Sequence, residues 1–200
     1  MNFIKFKNTF KDLKLIKTST IKNFFPDFDL KNLTYWQKKW YILKLKKWVY
    51  IFSDLEIDEK ILFFIANNLN EPSYIWLQTA LSFYWIIPEW VFTITSISTK
   101  RINFLDTKIW KFKYFTIKKD LFWWYDARKW FFISDLEKTI LDFLYFFPKY
   151  SQIEDFEELR FNKEFLKEKL NLQKIKKYLK IFENKQLEKR FNNLKNYIYA

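Results

Sequence analysis

Polar side chains that can read nucleic-acid bases are concentrated in a short helical pattern in the first quarter of the chain. Asn and Gln can pair with the edge of adenine, whereas Lys can contact guanine or phosphate. Asn32 and Gln37, set among lysines, therefore suit a helix that enters the major groove of DNA. We predict that the DNA contacts come from this helix, from hydroxyls and a lysine before it and from lysines after it: Ser19, Thr20, Lys22, Lys31, Asn32, Thr34, Tyr35, Gln37, Lys38, Lys39, Lys44, Lys46 and Lys47. The alternative is that these are solvated surface residues.

A second set of reactive side chains, Glu137, Lys138 and Asp142, lies on one predicted helix. Carboxylates and a lysine can perform general acid-base catalysis. Carboxylates five residues apart share a helix face poorly, and a Glu-Lys pair at a helix start is more often a cap and a surface charge. Asp27 and Asp29 form the only Asp-x-Asp pair of the kind that holds two metals, and they adjoin Pro26. We therefore expect no catalytic residue, no metal site and no cofactor.

The amino-acid composition excludes several kinds of enzyme. The chain contains no Cys, no His and no Gly. Without Cys and His it has no thiolate chemistry, no Ser-His-Asp or Cys-His catalysis and no His-containing metal site. Without Gly it cannot form the usual phosphate-binding P-loop or the Rossmann turn.

The net charge of +13 is unevenly distributed along the 200 residues. Residues 1–55 contain 12 Lys and four acidic residues, residues 56–150 contain 12 basic and 11 acidic residues, and residues 151–200 contain 12 and eight. A Lys-rich chain can simply reflect an AT-biased genome. A basic excess that is localised instead indicates a polyanionic partner, so the first quarter of the chain is the predicted nucleic-acid-binding part.

The periodicity of apolar residues predicts three helices followed by a basic hairpin over residues 1–54. The hydroxyls of residues 18–20 offer N-caps for the second helix, Pro26 stops it, and Asp27 or Asp29 caps the third. This arrangement is typical of a winged helix-turn-helix DNA-binding domain. The predicted helices span 3–13, 18–25 and 30–39, and the predicted strands span 41–45 and 49–52.

The remaining residues predict an α+β fold in which the winged helix-turn-helix is followed by a mixed α/β domain with a helical C-terminal tail. Residues 55–70 are a connecting helix, 71–150 the mixed domain, and 151–200 the helical C-terminal part of the same domain. We expect helices at 74–84 and 133–147, strands at 91–97, 102–105, 112–117 and 121–125, and tail helices broken near 170–171 and 183–184. The chain shows no bilayer-spanning stretch and no signal peptide at its start, so we expect a cytoplasmic protein.

The absence of Gly beside ten Trp is anomalous, because ordinary usage predicts about 14 Gly in a chain of this length. Many tryptophans fall where a chain turns and a positive φ favours Gly. These are Trp40, Trp48, Trp85, Trp110, Trp124 and Trp130. One hypothesis is that they are UGA codons that the native organism reads as glycine, with Trp36, in mid-helix, a genuine tryptophan. The alternative is a truly Trp-rich protein.

One continuous stretch resembles a known family. Residues 72–89 read PSYIWLQTALSFYWIIPE, which is similar to the signature of AbiEi-type antitoxins and related transcriptional regulators. Blocks at 91–100, 112–114, 121–125 and 136–145 are similar to those that follow it in the family, and the resemblance covers about residues 10–195. Family sequences carry Gly where this chain has Trp85, Trp110 and Trp124, which agrees with the recoding hypothesis.

The resemblance implies an N-terminal winged helix that binds inverted repeats in double-stranded DNA of its own promoter. It also implies a C-terminal domain that counters a nucleotidyltransferase-type toxin encoded beside it, in a type IV toxin-antitoxin system used in abortive infection. In such a pair the antitoxin need not contact the toxin, and no membrane partner is expected. Two alternatives stay open, a stand-alone winged-helix regulator and a protein-interaction module without a toxin partner.

Overall fold

The computed structural model describes residues 1–88, 92–101, 103–123, 125–126 and 130–200. As the sequence predicts, the fold is α+β, with N-terminal helices beside a small antiparallel sheet, then a mixed sheet, then a helical C-terminal region. The helices are α1 Phe3–Phe10, α2 Thr18–Phe24, α3 Lys31–Lys38, α4 Glu59–Leu69, α5 Leu77–Phe83, α6 Leu136–Phe146, α7 Ile153–Glu158, α8 Lys163–Lys169, α9 Leu172–Phe182 and α10 Lys185–Tyr199. The strands are β1 Ile16–Lys17, β2 Ile42–Lys46, β3 Val49–Phe52, β4 Ser73–Ile75, β5 Thr93–Ser98, β6 Asn103–Asp106, β7 Lys111–Thr116, β8 Tyr125–Asp126 and β9 Ile133–Ser134.

The N-terminal unit, residues 1–54, contains the three predicted helices. The Asn2 side chain caps α1 by accepting a hydrogen bond from the Lys5 amide at 2.9 Å, and the helix ends at Phe10. The predicted extension to residue 13 is wrong, because Leu13 lies beyond the helix and is exposed. Phe6 and Phe10 pack with residues of α2, α3 and the hairpin into one aromatic-rich cluster.

The starts of α2 and α3 differ in how they are capped. The prediction that the hydroxyls of residues 18–20 cap α2 is wrong, because Thr18 already lies in the helix and the N-cap is Lys17, without a side-chain hydrogen bond. In the turn before α3, the Asp29 carboxylate accepts a hydrogen bond from the Lys31 amide at 2.9 Å. The apolar spacing of α3 is confirmed, since Leu33 and Trp36 are buried against the α1 phenylalanines.

The small sheet has the antiparallel order β1-β3-β2, with β2 and β3 joined by a tight turn at Lys47 and Trp48. The hairpin is therefore confirmed, whereas β1 was not predicted, because two residues cannot display an alternating pattern. The register places Ile16 opposite Tyr50, which ties the segment before α2 to the hairpin.

The mixed sheet has the order β6-β7-β5-β4-β9-β8, in which β5–β7 and β4–β9 are parallel pairs. Three predictions in this region are corrected. Residues 73–75 form β4 before α5 begins, and residues 133–134 form β9 before α6 begins. The predicted strand 121–125 is wrong at its start, because Leu121 ends a 3-10 turn of residues 119–121, whereas Tyr125 begins β8. The strand predictions at Val91, Ile102 and Trp124 lie outside the described residues.

Helix α4 lies in a hydrophobic cluster that joins the hairpin to the mixed sheet. Its Phe63 and Ile65 are fully buried, with Leu45 and Ile51 of the hairpin and Phe112 of β7 in the same cluster. The Asp58 carboxylate caps the helix through the Ile61 amide at 2.7 Å. Burial of apolar surface by α4 therefore stabilises both sheets at once.

The C-terminal region contains four helices, of which α8, α9 and α10 begin at asparagine N-caps: Asn162, Asn171 and Asn184. The predicted breaks at 170–171 and 183–184 are confirmed, and a further break separates α7 from α8. Leu187, Leu194 and Ile175 pack in one cluster with the buried face of α6. None of the described helices has both the length and the apolarity needed to cross a bilayer.

Three tryptophans adopt the left-handed backbone conformation. Trp40, Trp48 and Trp85 have φ of 58°, 68° and 58°, and their side chains are 63%, 49% and 78% exposed. The expectation of a positive φ is confirmed at these positions and is wrong at Trp110. At Trp130 it stays a prediction, because φ there depends on residue 129, which lies outside the described residues. Trp124 lies outside the described residues, and Trp36 is buried in α3, 4.6 Å from the Phe6 ring.

Candidate nucleic-acid interface

Helix α3 presents a polar face opposite its buried one. With Leu33 and Trp36 turned inward, five of the predicted contact residues project outward and are exposed: Lys31, Thr34, Tyr35, Lys38 and Lys39. The Lys39 ammonium lies 5.9 Å from the centre of the Tyr35 ring. This face combines positive charge, a hydroxyl and an aromatic ring, and it can follow a groove lined by phosphates and base edges.

The two amide side chains predicted to read adenine are less available than the lysines. Asn32 and Gln37 are half-buried, and the Gln37 amide nitrogen donates to the Leu33 carbonyl of its own helix at 3.0 Å. Gln37 must break this bond before its side chain can form a bidentate pair with a base.

The three hairpin lysines occupy different environments. Lys44 and Lys47 are exposed, with Lys47 at the turn and its ammonium 5.3 Å from the Trp48 ring. The Lys46 ammonium instead donates to the Leu69 carbonyl at the end of α4, at 2.8 Å. Lys44 and Lys47 therefore present their side chains to solvent, whereas the Lys46 ammonium is bonded to the C-terminal end of α4.

The predicted contacts on α2 lie at the surface of the first helical turns. Ser19 is exposed and Thr20 half-buried, and the Lys22 ammonium donates to the Pro26 carbonyl at 2.8 Å. Lys22 thus bridges α2 to the turn that leads into α3. The structure brings the α2, α3 and hairpin residues into the same N-terminal unit, in separate groups on its surface.

The sequence singles out Lys138 and Asp142 but does not predict that they form a buried polar cluster. Lys138 and Asp142, one turn apart on α6, form an ion pair with both side chains fully buried. The Tyr74 hydroxyl of β4 donates to the second oxygen of Asp142 at 3.0 Å. The expectation that Glu137 and Lys138 are a cap and a surface charge is wrong, because Asp135 is the N-cap and both side chains are buried.

Burial governs the protonation of this cluster. It raises the pKa of Asp142 to about 6, although the Lys138 and Tyr74 hydrogen bonds lower it. It also lowers the pKa of Lys138, and the Asp142 carboxylate opposes that shift. The Lys138 ammonium further lies 4.9 Å and 5.0 Å from the rings of Trp123 and Phe182. The Lys138–Asp142 pair is fully buried and enclosed by aromatic rings. It therefore has the features of a buried ion pair that links parts of the fold, and not of a site open to substrate.

A second, partly exposed set of bonds fastens α9 to the start of α6. Lys174 pairs with Glu137 at 2.8 Å and with Asp135 at 3.2 Å, and the Tyr178 hydroxyl donates to Asp135 at 2.8 Å. The Glu137 carboxylate also accepts from the Asn171 amide at 3.0 Å. Charged residues of α6 are thus used to position the C-terminal helices.

Within the described residues, no group of three or more acidic side chains lies close enough to hold a metal ion. Comparison with models of known protein families finds no match to the chain. Comparison with curated proteins finds no match either.

Proposed function

We propose that the N-terminal unit is a winged helix-turn-helix that binds double-stranded DNA, with α3 as the recognition helix and β2–β3 as the wing. The observation that carries the proposal is the exposed polar face of α3, where Lys31, Lys38 and Lys39 surround Thr34 and Tyr35. This face lies in the quarter of the chain that holds most of the basic excess. Electrostatic attraction to phosphate would supply affinity, and the side chains of α3 would supply sequence preference.

We further propose that the protein is a transcriptional regulator and the antitoxin of a type IV pair, not an enzyme. It would repress its own operon by binding inverted repeats and counter a nucleotidyltransferase-like toxin without having to contact it. This part of the proposal is supported by the resemblance of residues 72–89 to AbiEi-type antitoxins. Such a regulator would act in the cytoplasm, where its promoter is.

The phosphate contacts can be tested with the hairpin lysines. Replacing Lys44 and Lys47 by Ala should weaken binding to all DNA sequences and reduce the slope of log Kd against log salt by about 2, because each Lys neutralises one phosphate. Lys46→Ala is the matched comparison, and a smaller loss is expected because the Lys46 ammonium is bonded to the Leu69 carbonyl. Gel shifts with the upstream region of the gene and with random duplex, over a salt series, measure both effects.

Base recognition can be tested on α3. Thr34→Ala and Tyr35→Ala remove exposed side chains, and loss of one good base contact costs about 1–3 kcal/mol on the preferred sequence. We expect these variants to lose affinity for the upstream region while keeping their affinity for random duplex. Equal losses on both DNAs would contradict the assignment of α3 as the recognition helix.

The antitoxin function has a separate test. If a nucleotidyltransferase-like reading frame adjoins the gene, its expression should arrest growth, and co-expression of this chain should restore it. Absence of such a frame, combined with intact operator binding, would leave a stand-alone regulator.

A further inference from the structure

One face of the mixed sheet is only partly covered by helices. The register places Thr95 of β5, Lys113 of β7 and Phe104 of β6 side by side on this face. The opposite face, with Phe112 and Tyr114, packs against α4, and the Tyr114 hydroxyl donates to the Ala66 carbonyl at 2.7 Å. On the first face α5 and α6 cover β4 and β5, whereas side chains of β6 and β7 reach the surface.

Aromatic rings line a groove on this uncovered part. The groove has a volume of about 740 Å³, and its lining includes Gln78, Phe92, Phe104, Lys113 and Phe115. Phe92 is 80% exposed and Phe104 55% exposed, while Phe115 is half-buried. Large apolar side chains grouped on a surface mark binding sites more often than isolated ones do.

The charges around these rings are almost all positive. The segment 103–116 contains three Lys and one Asp. Lys111 and Lys113 are exposed, and the single carboxylate, Asp106, is the register partner of Lys111. Lys108 lies in the turn between β6 and β7, with its ammonium 4.2 Å from the Trp40 ring. The Lys113 ammonium lies 4.9 Å from the centre of the Phe115 ring. On this face Lys111 and Lys113 of β7 therefore lie beside Phe115 of the same strand and Phe104 of β6.

We propose that this face, named here the aromatic sheet face (Phe92, Phe104, Lys111, Lys113 and Phe115), binds single-stranded RNA. Unpaired bases stack on exposed rings of a sheet, and lysines beside the rings hold the phosphates. A protein partner fits less well, because lysines are depleted from the centres of protein interfaces. A duplex fits less well too, because its bases are already stacked on one another.

Polar groups beside the rings favour RNA over single-stranded DNA. Gln78 is exposed and Thr93 half-buried, and both line the same groove. An amide and a hydroxyl in the same groove as the rings can bond the ribose 2′-hydroxyl, the group that distinguishes RNA. The inference concerns the second sheet, so it does not depend on the DNA-binding proposal for the N-terminal unit.

The test uses the full chain and a labelled oligouridine of about 12 nucleotides, the size that one such surface accommodates. Fluorescence anisotropy should detect binding that is weaker for the matching deoxythymidine oligomer. Phe104→Ala should raise Kd for the oligouridine about tenfold, the effect expected from the loss of one stacked base. Lys113→Ala should reduce the salt slope by about 0.7, the value for one phosphate of a single strand.

Phe132→Ala is the matched control, since Phe132 is an exposed phenylalanine outside the aromatic sheet face. It should leave oligouridine binding unchanged, and Phe104→Ala should leave duplex binding unchanged. The proposal is overturned by a Kd for oligouridine above about 100 µM, the weak limit of non-specific binding. It is also overturned by equal affinity for the deoxy oligomer, or by equal effects of the two Phe variants. A fall in native mass on Phe104→Ala, measured by light scattering, would instead identify the face as a contact between copies of this chain.

Discussion

Replacing Lys138 by Met is expected to lower the free energy of unfolding by about 3–5 kcal/mol at about pH 8, the range found when one partner of a buried ion pair is removed. The substitution leaves the Asp142 carboxylate fully buried with the Tyr74 hydroxyl as its remaining partner in the cluster. Met retains the helix propensity and most of the volume of Lys, so the loss reports on charge and not on packing.

The loss should depend on pH in a defined direction. Burial already raises the pKa of Asp142 to about 6, and removal of Lys138, which lowers it, raises it further. A raised folded-state pKa contributes stability that is present at low pH and lost as the pH rises through that pKa. The destabilisation of Lys138→Met should therefore shrink from about pH 8 to about pH 5. Urea unfolding at several pH values measures it.

The double variant Lys138→Met with Asp142→Asn is the matched control. It removes both charges and keeps an amide oxygen that can accept from Tyr74, so we expect recovery to within about 1–2 kcal/mol of the unsubstituted chain and no pH dependence from this site. A double variant as unstable as Lys138→Met alone would show that packing, and not the uncompensated carboxylate, causes the loss. Asp54→Asn, which breaks the exposed pair with Lys7, should cost less than about 1 kcal/mol.

A triple variant, Trp40→Gly, Trp48→Gly and Trp85→Gly, is expected to be more stable than the chain as written by about 3 kcal/mol. A residue with a Cβ pays about 1–2 kcal/mol in the left-handed conformation, and Gly offsets part of that gain through its larger unfolded-state entropy. Trp40 and Trp48 lie at opposite ends of β2 and Trp85 follows α5, so the sites are apart in the fold and their gains should add. Thermal and urea unfolding measure the change.

Two control variants bracket this prediction. Trp110→Gly, at a half-buried position without positive φ, should give no gain. Trp36→Gly should cost more than about 3 kcal/mol, because it empties a buried site and places Gly inside a helix. If the triple variant is less stable than the original, the left-handed turns are not where glycine belongs, and the recoding hypothesis loses its structural support.

Mass spectrometry of the protein from its native host tests the same hypothesis directly. Each tryptophan that is really glycine lowers the mass of its peptide by a fixed amount, so peptides covering residues 40, 48 and 85 decide the question. Tryptophan masses at all three positions would establish a genuinely Trp-rich protein.

The parts of the fold that the sequence predicts best are those with a repeated apolar period. Helix α3 follows from Leu33 and Trp36, and the tail helices follow from similar spacing with Asn at their starts. The sequence pattern does not predict β1 and β9, because two residues are too few to show alternation. Each of these strands forms by pairing with a strand far along the chain, β3 for β1 and β4 for β9. Residues 133–134 were assigned to the following helix for the same reason.

The buried Lys138–Asp142 ion pair shows a second limit of predicting structure from sequence patterns. A charged residue on a helix is usually solvated, so the sequence pattern places Glu137 and Lys138 at the surface. The i,i+4 spacing of Lys138 and Asp142, together with the apolar residues Ile140, Leu141, Phe143 and Leu144 around Asp142, is the available signal. Lys46 is a related case, since its partner, the Leu69 carbonyl, lies 23 positions away and no local pattern indicates it.

The hydrophobic cluster around α4 also bears on how this protein can be rearranged. A gene fusion that cut the chain at residue 54 would leave Leu45, Val49 and Ile51 without the side chains that cover them. The N-terminal unit is therefore not expected to fold independently when it is transferred to another protein. Recombination that preserves function must carry α4 and the second sheet along with the proposed DNA-binding surface, so the two halves of the protein are expected to be inherited as a single evolutionary unit.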